Sequence, residues 1–294
     1  MNCKIVSVYF GNRQRYPHTS EDTLIMLKDF IKNEISLNPG VDQLDTILVN
    51  HNCNNKEGNK YLDSLEGLKT HSGNIKVIHR PWNKGIGMSF ASFNYAFEQF
   101  RDDYDYWFFQ EDDYKLIHEN YYSKGIEILN KNPKLAFLGY DRQLPDNTNS
   151  ITWEMKKATL YKFTDEFNKT EKEWKNWDEE YQEFKIYFDK IWDNIGKQEK
   201  KYYFCDGGMG LTHKKFLNEI YNKNNSLPYC KSPQPKEYMV RDIKFLLPSK
   251  VWWVFNVVFG EIRFTNIYVD HGYELNVFPS SAPIIHSYKA NENR

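Results

Sequence analysis

In the first half of the chain, short apolar runs of strand length alternate with segments of helical periodicity, and this alternation constrains the fold most. Runs rich in β-branched and aromatic residues lie at 4–10, 46–49, 75–78 and 106–109. Helical spacing of apolar side chains marks two intervening segments, one that begins near Ser20 and one at Met88–Arg101. Such an alternation of strands and helices predicts an α/β fold with a mixed, mainly parallel sheet flanked by helices.

Polar residues follow these runs directly. Gly11-Asn12 ends the first run, a polar loop at 51–55 follows the second, and Glu111-Asp112-Asp113 follows the fourth. In open α/β sheets, ligands bind beyond the carboxyl ends of the strands. The sequence therefore predicts a ligand site at the edge where these polar segments would meet.

The second half of the chain is less regular. Residues 135–139 form one more strand-like run. The charged segment 169–201 carries apolar side chains at steps of three and four, which predicts a long helix with one apolar stripe. Packing of this stripe on the sheet is the favoured interpretation, and a homodimer contact or a peripheral membrane contact are the alternatives.

Composition excludes several classes of protein. A formal net charge of -1 argues against binding to nucleic acid through bulk charge. The longest apolar run, at 251–259, is too short to span a bilayer, and the run at 4–10 lacks the features of a signal peptide. The four cysteines are widely spaced, which argues against a zinc site or a disulfide framework. We therefore expect a cytoplasmic protein, with attachment to a membrane periphery as the alternative.

The acidic triplet Glu111-Asp112-Asp113 is the sharpest chemical signal. Three successive carboxylates at the end of a buried strand would repel one another and would be costly to desolvate. Mg²⁺ or Mn²⁺ relieves both problems, because these hard cations bind carboxylate and diphosphate oxygens together. A solvated acidic turn is the alternative interpretation.

Segments spread along the chain resemble the GT-A glycosyltransferases, within them the family-2-like group. The resemblance covers approximately Lys4 to Phe216. The segments that carry it are the strands 6–9 and 47–50, the turn Asn83–Gly87 before a helix that holds Asn94, the strand that leads into Glu111–Asp113, and Cys205–Leu211. It implies a single GT-A, Rossmann-like domain with a nucleotide-sugar-binding half at 1–140 and an acceptor-binding half at 141–294. The second half would hold a helical insertion at 165–200 and an irregular C-terminal acceptor region.

The resemblance also implies site residues. Glu111 and Asp113 would hold Mn²⁺ or Mg²⁺ with His286 from the C-terminal region, where His271 competes for the role. The donor-binding residues would be Tyr9, Phe10, Gly11, Arg13, Asn50, Asn83, Gly85, Glu111, Asp112, Gly207 and Gly208. Arg80 is a further candidate for holding phosphate.

Two positions depart from the family's usual pattern. Asn50 stands where the family usually has an aspartate that binds the nucleobase, which leaves the identity of the base open. The acidic motif begins with Glu111 rather than aspartate, which lengthens the side chain by one methylene and keeps the chemistry.

The catalytic base should lie in the second half, on the acceptor side of the sugar. Asp206, Glu237 and Asp242 qualify by position. We favour Asp242, because it falls near the start of a predicted helix, where the helix dipole keeps an acid ionised.

These features predict a metal-dependent glycosyltransferase of the hexosyltransferase type, active in carbohydrate biosynthesis. It would move a sugar from a nucleoside diphosphate sugar, with a UDP-sugar favoured, to a hydroxyl of a glycan or another acceptor, with inversion at the anomeric carbon favoured. The alternatives are a nucleotidyltransferase acting on a sugar phosphate and a non-catalytic carbohydrate-binding protein on a transferase fold.

Overall fold

The computed structural model describes residues 1–10, 20–51, 55–81, 88–140, 205–229, 259–279 and 284–286. In these ranges, the strands of the first half are β1 (Asn2–Val8), β2 (Leu44–Asn50), β3 (Ile75–His79), β4 (Tyr106–Glu111), β5 (Tyr114–Leu116) and β6 (Leu135–Gly139). The helices that accompany them are α1 (Ser20–Ser36), α2 (Lys56–Asp63), α3 (Met88–Phe100) and α4 (Tyr121–Lys131). The later elements are β7 (Gly210–His213), α5 (Lys214–Asn224), α6 (Phe259–Asp270), β8 (Glu274–Val277) and β9 (Ile284–His286).

Seven of these strands form one sheet in the order β3-β2-β1-β4-β7-β6-β8. β1 pairs in parallel with both β2 and β4, and β2 with β3. β7 runs antiparallel to its neighbours β4 and β6, and β8 returns parallel to β6. The predicted fold class, a mixed and mainly parallel α/β sheet flanked by helices, is confirmed.

The order of the first four strands creates a topological switch point. The chain moves outward from β1 through β2 to β3, and it then crosses back to form β4 on the other side of β1. In open α/β sheets, the crevice at such a reversal is where ligands bind, beyond the carboxyl ends of the strands. The switch point here lies between the end of β1 and the end of β4.

Helices cover both faces of the sheet. On one face, Phe93 of α3 and Phe264 of α6 pack against Phe109 of β4. On the other face, α1 and α2 cover β1 and β2, and α4 covers β4, β6 and β7. Strands buried on both sides explain why the sequence shows continuous apolar runs rather than alternation.

A buried ion pair lies under α1. Lys4 in β1 donates to both carboxylate oxygens of Glu34 at 2.7 and 2.8 Å, and Thr46 of β2 donates to the same carboxylate at 3.1 Å. The Lys4 ammonium also lies 4.8 Å from the centroid of the Tyr121 ring. Burial lowers the pKa of Lys4, because desolvation disfavours its charged form, and Glu34 opposes that shift.

The strand boundaries differ from the sequence-based prediction at several ends. β1 ends at Val8, so Tyr9 and Phe10 follow the strand rather than belonging to it. β4 continues to Glu111, so the first acid of the triplet is a strand residue. Helix α1 begins at Ser20, in agreement with the start that the sequence predicts.

Several predictions fall on residues outside the described ranges. They include the helical insertion at 165–200 with its apolar stripe and the apolar run at 251–258. The division into halves at residue 140 remains a prediction, and strands from both sides of it share the seven-stranded sheet. Among the helices that the structure describes, none has the length and apolar composition needed to cross a membrane.

Candidate functional site

The acidic turn, defined here as Glu111-Asp112-Asp113, lies at the switch point. The Asp112 carboxylate accepts a hydrogen bond from the backbone N–H of Tyr9 at 3.1 Å, and the Asp112 backbone N–H donates to the Ser7 carbonyl at 3.2 Å. Asp112 and Asp113 are only 4% and 6% exposed. The turn therefore joins the end of β4 to the end of β1 and places two buried carboxyl groups at the predicted ligand edge.

Glu111 points to the other side of the turn, toward α3. The Ser89 hydroxyl near the start of α3 donates to Glu111 Oε1 at 2.5 Å. The backbone of Gly207 lies so close that a Cβ there would be 2.9 Å from Glu111 Oε2. Gly207 and Gly208 have positive φ angles of 62° and 64°, a conformation in which glycine avoids the strain of other residues. This glycine turn thus closes against the acidic turn.

A chain of three polar side chains crosses the carboxyl ends of β1, β2 and β3. Ser7 Oγ lies 2.6 Å from His51 Nε2, and an Arg80 Nη2 lies 3.4 Å from His51 Nδ1. Because arginine only donates, Nδ1 must accept, so Nε2 carries the proton and donates to Ser7. Burial lowers the pKa of Arg80 to about 10, which still leaves it charged at neutral pH. A guanidinium is therefore linked through His51 to the end of β1.

Asn50, the predicted nucleobase-binding residue, is buried at the end of β2. Its amide nitrogen donates to Asn59 Oδ1 and to His79 Nδ1, both at 2.9 Å. His79 Nε2 in turn donates to Asp63 at 2.8 Å. Both amide hydrogens of Asn50 are therefore used inside the protein, and its role in binding a nucleobase stays a prediction.

Most of the other residues predicted for the site, including two candidates for the catalytic base, fall into three groups. Phe10 packs in the core, where a Cβ on Gly58 would lie 2.6 Å from its ring. His286 belongs to β9, whose backbone pairs antiparallel with β5 so that His286 is opposite Tyr114, the residue after the acidic turn. Outside the described residues lie Gly11, Arg13, Asn83, Gly85, Glu237 and Asp242.

Two further predicted residues lie within described segments. The Asp206 backbone begins the short 3₁₀ turn that contains Gly207 and Gly208. The Nδ1 of His271, the alternative metal ligand, donates to Glu219 Oε1 at 2.9 Å, at the junction of α5 and α6. Among the described residues, no group of three His, Cys, Asp or Glu side chains is arranged to hold a metal ion.

The sequence assigned no role of their own to Ser7, Ser89 and Gln110, and it did not predict the structural role of His51. Ser7 and Gln110 are polar residues that directly follow apolar residues within buried strands, and this was a signal that could have identified them. Ser89 carried no such signal, because one serine in the first turn of a helix is common.

Comparison with protein-family models and with curated proteins gives no match to this sequence. Among solved structures, the fold is similar to a CMP:2-keto-3-deoxy-manno-octonic acid synthetase complexed with CTP, with a TM-score of 0.45 and 9% sequence identity. The alignment covers 100% of this chain and 96% of that one. It does not confirm the family-2-like GT-A resemblance, and a likeness of this degree carries no argument about activity.

Proposed function

We propose that the carboxyl edge of the sheet binds a nucleoside diphosphate sugar with Mn²⁺ or Mg²⁺, and that the protein transfers the sugar to an acceptor hydroxyl. The observation that carries this proposal is the acidic turn at the switch point, with Asp112 and Asp113 both more than nine-tenths buried. Open α/β sheets bind ligands at this location. A UDP-sugar is the first donor to test.

The acidic turn offers carboxylate ligands to a hard divalent cation, but in the described arrangement its three carboxylates do not form one group that could hold an ion. Its oxygens are carboxylates, the ligand type that Mg²⁺ and Mn²⁺ prefer, and burial makes adjacent negative charges costly without a cation. When bound, such a cation would neutralise charge on the leaving diphosphate. Asp113 is the proposed direct ligand with Glu111 and His286, while Asp112 is held by the Tyr9 N–H.

The chain's own groups would bind the rest of the donor. A Cβ on Gly207 would meet Glu111 and a Cβ on Gly208 would meet Phe90 and Phe264, so these glycines allow their turn to pack closely against the acidic turn and α3. We propose that the donor sugar binds beside this turn. Arg80, charged and held by His51, supplies positive potential at the same edge. For the acceptor hydroxyl, we propose Asp242 as general base, with Glu237 and Asp206 as alternatives.

Nucleotidyl transfer to a sugar phosphate is the second candidate. Positively charged side chains support testing nucleotidyl transfer. Arg80 keeps its charge at this edge, and Arg13 and Arg15 follow β1 in the sequence. A nucleoside triphosphate carries more negative charge than a diphosphate and would gain more from these residues.

Calorimetric titration separates the candidates. We expect the full-length protein to bind a nucleoside diphosphate only with Mn²⁺ present, and to hydrolyse the matching nucleotide sugar slowly when no acceptor is supplied. Preference for a triphosphate, with pyrophosphate released when a sugar phosphate is added, would support nucleotidyl transfer. Binding of glycans without nucleotide binding would support the non-catalytic alternative.

A further inference from the structure

His51 is a buried histidine at the carboxyl edge of the sheet, directly after β2. Its backbone N–H donates to the Val8 carbonyl at 3.2 Å. Its ring lies edge-on to the Tyr9 ring, with 6.0 Å between the two centroids. The end of β1 therefore holds His51 through both its backbone and its side chain.

Two hydrogen bonds of opposite sense involve the ring of His51. Nε2 donates to the Ser7 hydroxyl at 2.6 Å, and Nδ1 accepts from Arg80 Nη2 at 3.4 Å. The first contact is short and the second is long, so Ser7 anchors the ring, and the lone pair of Nδ1 then directs the guanidinium. Ser7, His51 and Arg80 are 3%, 1% and 7% exposed, so all three side chains belong to the protein interior.

Arg80 and the acidic turn come from opposite sides of β1 in the sheet. Arg80 follows β3, which pairs with β2 on one side, and the acidic turn ends β4 on the other side. Ser7 of β1 contacts both groups, because its hydroxyl accepts from His51 and its backbone carbonyl accepts from the Asp112 N–H at 3.2 Å. The series of contacts from Arg80 therefore reaches the switch point, where open α/β sheets bind ligands.

The contact with His51 holds Arg80 without cancelling its charge. A carboxylate at position 51 would form an ion pair with the guanidinium and weaken its attraction for an anion, whereas a neutral imidazole offers an acceptor and no negative charge. The Tyr229 hydroxyl also favours the charged form of Arg80, and burial raises the pKa of Tyr229, so this group too is neutral at pH 7. A charged guanidinium held in this way suits phosphate oxygens, which match its fork of donors.

We infer that His51 is a positioning residue for the donor: anchored by Ser7, it holds the Arg80 guanidinium in the orientation that binds the diphosphate. This inference rests on the proposed function, because the diphosphate is part of the donor. It does not require the acidic turn to hold a cation, since Arg80 would contact the phosphates from the side of β2 and β3. Fixing a long side chain before the ligand binds changes affinity by about 2–12-fold.

The test uses the different lengths of asparagine and glutamine. In His51→Asn, the amide oxygen falls near the place of Nδ1 and can accept from Arg80, whereas in His51→Gln the amide falls near the place of Nε2 and keeps the contact with Ser7. Binding of UDP to the whole chain is measured by calorimetry with Mn²⁺ present. We expect Arg80→Gln to weaken UDP binding by about 10–100-fold and His51→Gln by about 2–12-fold. His51→Asn should weaken it less than His51→Gln does.

A double-mutant cycle shows whether His51 acts through Arg80. In the Arg80→Gln background, His51→Gln should cause no further loss of UDP affinity, a result that general damage to this edge would not produce. His71→Gln is the matched control, because His71 also contacts a serine hydroxyl, that of Ser72 at 3.1 Å, but is exposed in the segment before β3. It should bind UDP as the wild type does.

Three results would overturn the inference and leave the proposed function standing. They are unchanged UDP affinity in His51→Gln or Arg80→Gln, equal losses in His51→Gln and His51→Asn, and a loss from His51→Gln that persists in the Arg80→Gln background. Should Arg80→Gln fail to fold, the comparison of the two His51 variants still decides the inference. Wild-type protein that binds no UDP would overturn both.

Discussion

Substituting Gly207 with Ala tests how closely the glycine turn and the acidic turn are coupled. Gly207 has a φ of 62°, and a Cβ there would lie 2.9, 3.1 and 3.3 Å from Oε2, Cδ and Cγ of Glu111. Contacts this short along most of a side chain mean that Glu111 must move as a whole. Moving it would break the 2.5 Å hydrogen bond from Ser89.

Two separate costs contribute to the expected effect. Placing alanine in the left-handed region costs about 1–2 kcal/mol. Losing a hydrogen bond to a charged carboxylate costs about 1.5–3 kcal/mol. We therefore expect the free energy of unfolding to fall by about 2.5–5 kcal/mol in Gly207→Ala.

The chain offers controls that separate the two costs. Gly67 has a φ of 76°, and no atom lies within 4 Å of the position that a Cβ would take there, so Gly67→Ala should show the conformational cost alone. Ser89→Ala should show the hydrogen-bond cost alone. Urea denaturation gives the free energies, and titration with Mn²⁺ and a nucleoside diphosphate reports on the site. If Gly207→Ala matched Gly67→Ala in stability and bound both ligands normally, the proposed coupling would be wrong.

Four further predictions test the site and the fold. Asp113→Asn should fold normally and bind donor without the Mn²⁺ dependence of the wild type; retained dependence in calorimetry would contradict its role. Asp242→Asn should lower turnover by about 10²–10⁴-fold with donor affinity little changed, and near-normal turnover would move the base elsewhere. Glu34→Gln should destabilise the protein by about 3–5 kcal/mol, because it leaves Lys4 buried without its counterion, whereas replacing both residues with apolar ones should restore much of the loss in urea denaturation. The cationic neighbours of Asp105 lower the pKa of its carboxyl group to about 2, below the ordinary value. Ionised Asp105 therefore stabilises the fold above about pH 4, and this stabilisation is lost as the pH falls through 2. The difference in unfolding free energy between the wild type and Asp105→Asn should shrink over that window, and a constant difference would refute the assignment.

Local pattern was sufficient to predict the sheet's parallel half. β1, β2 and β4 contain apolar runs, because both faces of each strand are covered by helices, and such runs are visible without knowing the partners; β3 at the sheet edge is only partly buried. The end of each run is also visible, so the sequence predicted that Asn50 and the acidic turn lie at the ligand edge.

The antiparallel part of the sheet was not predictable in this way. β7 contains only Gly210-Leu211-Thr212-His213, too short for a periodic signal, yet it inserts between β4 and β6. β8 alternates between half-buried and exposed residues and has no apolar run. The positions of β7 and β8 depend on pairing with strands that are far away in the sequence, and no local pattern predicts such pairing.

The same distinction applies to the candidate site. The sequence by itself determined which residues are acidic, where the glycines fall and that Glu111-Asp112-Asp113 ends a buried strand. Only the tertiary structure decided that Tyr9 holds Asp112, that Gly207 presses against Glu111, and that His51 links Ser7 to Arg80. Each of these contacts needs two chain segments brought to one edge by the sheet order, and the distance between such segments is fixed by folding rather than by spacing along the chain.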